Sequence, residues 1–182
     1  MKGIISYGAY IPYNRLQRKK IGEFFGKPAF GGEKAVAGYD EDSVSMGVEA
    51  AIDCLQGSNR DQITSVFFAT ANSPYKEKGS IATIAAALML NENIRGIEAT
   101  SSLRGGTSSI LLANENEQTL VISADCRTGA PNGQNEQWFG DGAAAFFIGT
   151  GTDVIAKFID SESLQDDIIS QWRSQSDYFT QN

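Results

Sequence analysis

Apolar and polar positions along the chain fall into short blocks, and the period of each block predicts an element. "KGIISYGAYIP", Lys2 to Pro12, is an apolar run closed by proline and predicts a first strand. Arg15 to Phe25 is basic and predicts a helix, and "GKPAFGGEKAVAGYDED" after it, rich in Gly and charge, predicts a long surface loop. From Asp42 onward Val44, Val48, Ile52 and Leu55 recur at helical spacing, with Asp42 placed to cap the start. "ITSVFFATA", Ile63 to Ala71, is nearly continuous and β-prone, which suits a strand buried on both faces.

The same reading continues to the end. Ile81 to Leu90 is apolar on nearly all sides, which predicts a helix that is buried or at an interface. Gly96 to Thr100 predicts a short strand, Gly106 to Ala113 a small-residue helix, and Gln118 to Asp125 another buried strand. "WFGDGAAAFFIGTG" feeds Gly-Asp-Gly into a β-prone run, and Val154 to Ile159 predicts a last strand. Strands alternating with helices imply an α/β fold with a mostly parallel sheet.

Composition narrows the function. The 182 residues suffice for one good core. No apolar run approaches the roughly 20 residues that span a bilayer, and none reads as a signal peptide. A net charge of −7 disfavours nucleic acid or anionic lipid as partner. Cys54 and Cys126 have no metal or disulfide spacing, so a cytoplasmic setting is expected. The chain has no histidine, so no mechanism that needs an imidazole can be completed within it.

Three stretches, "GEKAVAGYDEDSVSMGVEAA", "TSSLRGGTSS" and "FGDGAAAFFIG", occur in an order that resembles the thiolase superfamily. More narrowly they resemble its hydroxymethylglutaryl-CoA synthase-like branch, related to 3-ketoacyl carrier-protein synthase III. The resemblance implies one thiolase-like half, an α/β unit with a five-stranded mixed sheet flanked by helices. Residues 1–160 would form that half, and 161–182 the start of the segment between halves. The family's second half normally supplies the active-site histidine and asparagine. Acyl-CoA is the ligand implied, with no cofactor bound covalently and no metal.

The resemblance also assigns positions. In the family the strand-to-helix turn carries a cysteine that is acylated from an acyl-CoA thioester, its pKa lowered by the helix N-terminus. Gly105, Gly106 and Thr107 match that turn, and Leu103 falls on the cysteine. A glutamate after an earlier strand acts as acid/base in the family's condensation, and Ala71 falls on it, with Asn72 next. Both catalytic positions are thus replaced. Pro74 and Tyr75 match a segment that reaches toward a neighbouring subunit. Ser102, Arg104, Gly105, Gly106, Thr107 and Gly140-Asp141-Gly142 would line the pocket.

Plainer readings stand beside these. The turn can be a Gly-rich connection that lets backbones pack, and Gly140 to Gly142 a tight turn in which Asp141 ties backbone amides. Arg104 can pair with a carboxylate or phosphate, or be solvated. Lys34 reads as a loop residue with a remote claim on CoA. Cys126 reads as a small buried hydrophobe, and Trp138 and Trp172 as packing anchors. The acidic run Asp40 to Asp42 complements a helix start and is not a metal site.

Three functions remain open: an acyl-CoA condensing enzyme, a retro-aldolase that needs no cysteine, and a non-catalytic scaffold subunit. A lone half leaves apolar faces uncovered, so a homo-oligomer or a separate chain with the second half is expected. A zinc-ribbon/OB-type protein is a further partner implied by the resemblance.

Overall fold

Six strands make one mixed sheet in the computed structural model, which describes residues 2–167 and 170–181. Met1, at the start of the expected 1–160 half, and Ile168, Ile169 and Asn182, within the expected 161–182 segment, lie outside the described residues. In chain order come β1 (Lys2–Tyr10), β2 (Asn14–Gln17), α1 (Arg18–Phe25), β3 (Glu33–Val36), α2 (Ser43–Cys54), β4 (Ser65–Thr70) and α3 (Ile81–Ala87). They are followed by β5 (Arg95–Thr100), α4 (Gly105–Ala113), β6 (Thr119–Asp125), α5 (Gln134–Trp138), β7 (Gly142–Thr150) and β8 (Ala156–Lys157). The sheet order is β5-β4-β6-β7-β1-β8. β4 runs parallel to β5 and β6, whereas β7 is antiparallel to β6 and β1. The expected five strands thus become six, because β8 adds a two-residue edge on β1.

The period-two pattern of the central strands sorts their side chains onto two layers. Val66, Phe68, Leu120, Ile122, Ala145 and Phe147 pack with residues of α2 and α3. Phe67, Val121 and Ile148 point the other way and meet Ala113 of α4. All six residues of β4 are buried, and removing a side chain such as Phe67 or Phe68 from water stabilises by about 1.5–3 kcal/mol.

α2 begins as read: Asp42 accepts from the Val44 and Ser45 amides at 2.8 Å, and the Ser45 hydroxyl closes the capping box. Of the Val44/Val48/Ile52/Leu55 stripe, Leu55 is buried and Val44 and Val48 pack partly buried against the core. Other residues make the centre of the face. Met46, Gly47, Ala50, Ala51 and Cys54 are buried, while Ile52 is exposed. Small residues win that face because β1 comes so close. A Cβ on Gly8 would overlap the Cys54 amide and the Ala50 carbonyl.

Four other expectations change. The helix expected from Arg15 starts at Arg18, because Asn14 to Gln17 pair with Glu33 to Val36 as a two-stranded sheet. That pairing places β3 inside the expected loop. The Ile81–Leu90 helix ends at Ala87, with Met89 at φ 52°, and only Ile84 and Leu88 of the run are buried. The last strand shrinks to Ala156 and Lys157.

Candidate functional site

β4, β5 and β6 end side by side, and the connections leaving them build the site. β5 passes into Ser101, which holds a left-handed φ of 65°, a conformation that costs a non-glycine residue about 1 kcal/mol or more. Its amide donates to the Thr70 carbonyl at 3.1 Å, tying the turn back to β4. The Ser102 hydroxyl accepts from the Arg104 amide and its carbonyl from the Gly105 amide. Leu103 is lifted out of this turn and is 56% exposed.

The two glycines seat the helix on the sheet. A Cβ on Gly105 would lie 2.8 Å from the Ala99 carbonyl oxygen, and one on Gly106 2.7 Å from Ser123 Oγ. The plainer packing reading of the turn therefore has a geometric basis. Neither glycine is among the described residues at positive φ.

Ala71 follows β4 directly. Its amide donates to Asp125 Oδ1 at 2.7 Å, and the Thr70 hydroxyl donates to the same oxygen at 3.1 Å. The Asn72 amide in turn donates to Thr70 Oγ1 at 3.0 Å. The chain after β4 is thus held by a carboxylate at the end of β6.

Ala71 and Leu103 open on one cavity of about 620 Å3. The loop from Asn72 to Gly79, including Pro74 and Tyr75, forms one side, and Gln171 to Gln175 with Asp177 and Thr180 forms the other. The later segment is anchored by backbone bonds from Thr180 N to the Thr128 carbonyl and from Gln181 N to the Trp172 carbonyl. Trp172 is half exposed and lines the cavity rather than anchoring a core. Arg127, Arg173, Lys76 and Lys78 line it too, and the sequence reading did not single them out. They come from three separated segments, and only the nearness of the two lysines to Pro74-Tyr75 gave any signal.

The other assigned positions sit elsewhere. Ser102, Arg104, Gly105, Gly106 and Thr107 are not on this cavity's lining. Arg104 donates to the Leu164 carbonyl at 2.9 Å and to Ser163 Oγ at 3.0 Å, so it holds the segment after β8. Gly142 borders a separate depression of about 270 Å3 with Ser123, Asp125 and Ala144. Asp141 accepts from the Ala37 amide at 2.7 Å and its own amide donates to the Ala35 carbonyl, so it ties β7 to the β3 strand. Gly140 has no atom closer than 3.7 Å to an added Cβ and its φ is not left-handed. Glycine is therefore not demanded there.

Lys34 is no solvated loop residue. Its ammonium donates to the Glu136 carbonyl at 2.6 Å, and burial, opposed by Asp141 and Glu136, lowers its pKa. Burial raises that of Asp141, opposed by the Ala37 amide and Lys34. Trp138 stacks on Phe30 at 6.0 Å, at the end of a short helix the sequence reading missed. Burial first, then Asp141, pushes the Cys126 thiol up to about 11. Such a thiol is a poor nucleophile at neutral pH. Among the described residues no group of three or more His, Cys, Asp or Glu is arranged to hold a metal. Nor, among them, is any helix long and apolar enough to cross a membrane.

No family model matches the chain. It is 32% identical over 187 aligned residues to the hydroxymethylglutaryl-CoA synthase of Pyrococcus furiosus, covering 97% of this chain and 53% of that protein. To the enzyme of the same name from Aeropyrum pernix it is 32% identical, covering 94% of this chain and 51% of the other. The chain spans about half the length of the curated relatives it matches. A crystal structure of an HMG-CoA synthase complexed with CoA superposes with a TM-score of 0.88 at 19% identity, over 99% of this chain and 50% of that one. A 3-oxoacyl-(acyl-carrier-protein) synthase III gives 0.74 at 19% identity, over 82% and 50%. Motif order, sequence identity and topology agree: over about half the length of its relatives, the chain belongs to the hydroxymethylglutaryl-CoA synthase-like branch of the thiolase superfamily.

Proposed function

We propose that the chain handles acyl-CoA without the covalent acyl step of its family, as one half or subunit of a complex that forms or cleaves a C–C bond. One observation carries the reading: Leu103 and Ala71, at the positions assigned to nucleophile and acid/base, face the same cavity. A leucine side chain forms no thioester and an alanine moves no proton. The turn persists as a scaffold, and the reacting groups belong to a second thiolase half, carried by a separate chain or by further sequence. CoA as ligand is supported by the solved HMG-CoA synthase that holds it. A second copy of this chain and a zinc-ribbon/OB-type protein are further partners the reading admits.

Acetyl-CoA and mass spectrometry test it. The protein as it stands is expected to gain no acetyl group, whereas Leu103→Cys, supplied with a second half, is expected to gain one. Acylation of the unaltered chain, or turnover of an acyl-CoA by it alone, would sink the proposal. The native mass from the source cells gives the partner: a co-purifying chain with the missing His and Asn supports the split enzyme, a homo-oligomer alone the scaffold reading.

A further inference from the structure

We propose that the cavity between the Asn72–Gly79 loop and the Gln171–Thr180 segment is an oxyanion site, which takes a carboxylate or phosphate group between Arg127, Arg173, Lys76 and Lys78. The site does not depend on the acyl-CoA reading.

The chain carries 15 Lys and Arg against 22 Asp and Glu, yet four of the cations line this one cavity. Among the described residues the only ion pair within 4 Å is Arg15 with Glu33; Asp125 attracts Arg127 and Asp177 attracts Arg173 without a close ion pair. In an acidic protein, cations gathered in a concave site raise the local concentration of anions.

Three carboxylates also line the cavity, Glu77, Glu98 and Asp177. Glu98 Oε1 accepts from the Ser80 and Ile81 amides and so caps α3, which lacks a cap of its own. Asp177 Oδ2 accepts from the Ser174 amide at 2.8 Å and its hydroxyl at 2.6 Å. Two of the three are thereby engaged by amides and the Ser174 hydroxyl, although Asp177 still attracts Arg173.

The Arg127 guanidinium lies over the Phe139 ring with its carbon 4.3 Å from the centroid. That contact sets the cation against the ring face. Lys78 is placed in the same way over Tyr75, at 4.5 Å. Lys76 Nζ donates to the Gln175 carbonyl at 3.3 Å and bridges the two sides. With its amide oriented so that nitrogen donates to the Cys126 carbonyl at 2.9 Å, Asn72 Oδ1 accepts from Arg173 Nη2 at 3.1 Å. Arg127 feels the attraction of Asp125 and, more weakly, the repulsion of Arg173, and an oxyanion between the two arginines would add charge-assisted hydrogen bonds.

Isothermal titration calorimetry of the full chain tests this with two probes, inorganic phosphate and glutarate. At least one is expected to saturate, with affinity falling as salt rises. Arg127→Gln and Arg173→Gln should each weaken it about tenfold or more, and Lys157→Gln on β8, outside the cavity, should leave it unchanged. Circular dichroism of each variant checks folding. Should either Arg variant fail to fold, Lys76→Gln/Lys78→Gln, on exposed side chains, takes its place. Phosphate binding that glutarate does not displace identifies a phosphoryl group, and the reverse a carboxylate. No saturation by either probe, or unchanged affinity in the folded cavity variants, overturns the proposal.

Discussion

Ala71 and Asp125 stand 54 residues apart in the chain and are joined by a 2.7 Å hydrogen bond from the Ala71 amide to Asp125 Oδ1. With the Thr70 hydroxyl on the same oxygen, the bond sets where the chain turns after β4 and so shapes the cavity wall. The carboxylate positions a backbone that carries no reacting side chain at Ala71.

Asp125→Ala leaves the Ala71 amide and Thr70 hydroxyl without this acceptor. A loss of about 1–3 kcal/mol is expected in urea unfolding, and Asp125→Asn, which keeps an acceptor oxygen, should lose less. Equal losses would mean that the hydrogen bonds are not the cause.

The glycines of the two motifs should part company. Gly105→Ala drives a Cβ toward the Ala99 carbonyl oxygen and is expected to cost about 1–3 kcal/mol. Gly140→Ala meets only ordinary contacts and should fall within about 0.5 kcal/mol of the parent. Thermal melts of both variants read the contrast.

Removing the cap of α2 by Asp42→Ala takes away the acceptor for two amides and is expected to cost about 1 kcal/mol. The melt of Asp42→Ser, which can still cap, should lie near the parent.

Cys126 titrates far above an ordinary thiol, at about 11 rather than 9.0. Two units lower its thiolate fraction at pH 8 about 100-fold, so alkylation by iodoacetamide should be slowed by that order relative to a free thiol. The sign of the linked stability follows. The folded state holds the proton more tightly than the unfolded one, so the contribution is present below pH 9 and lost between about 9 and 11. In urea unfolding across that window, Cys126→Ala should lose less stability than the parent.

Strands buried on both faces were legible because hydropathy alone marks them: Ile63 to Ala71 and Gln118 to Asp125 contain β4 and β6. β3 was hidden, since four residues of "EKAV" in a charged, Gly-rich stretch form a strand only by pairing with β2. On α2 the stripe found Val44, Val48 and Leu55 but not the small residues at the centre of the face, because the close approach of Gly8 to Ala50 and Cys54 comes from a different strand. In the candidate site, family motifs brought Ala71, Pro74, Tyr75 and Leu103 to one cavity. Arg127 and Arg173 carry no local motif, and only the fold makes them neighbours.

The position of β1 between β7 and β8 has a consequence for the order of events in folding. The earliest strand finds its partners only when Gly142–Thr150 and Ala156–Lys157 exist. Until then β4, β5 and β6 can zip in parallel, while Gly8 has no neighbour on either edge and α2 lacks part of its floor. Pairing across so long a loop is slow. A ribosome-stalled chain ending before residue 142 should therefore remain open to protease around β1, and closure should come late and all at once.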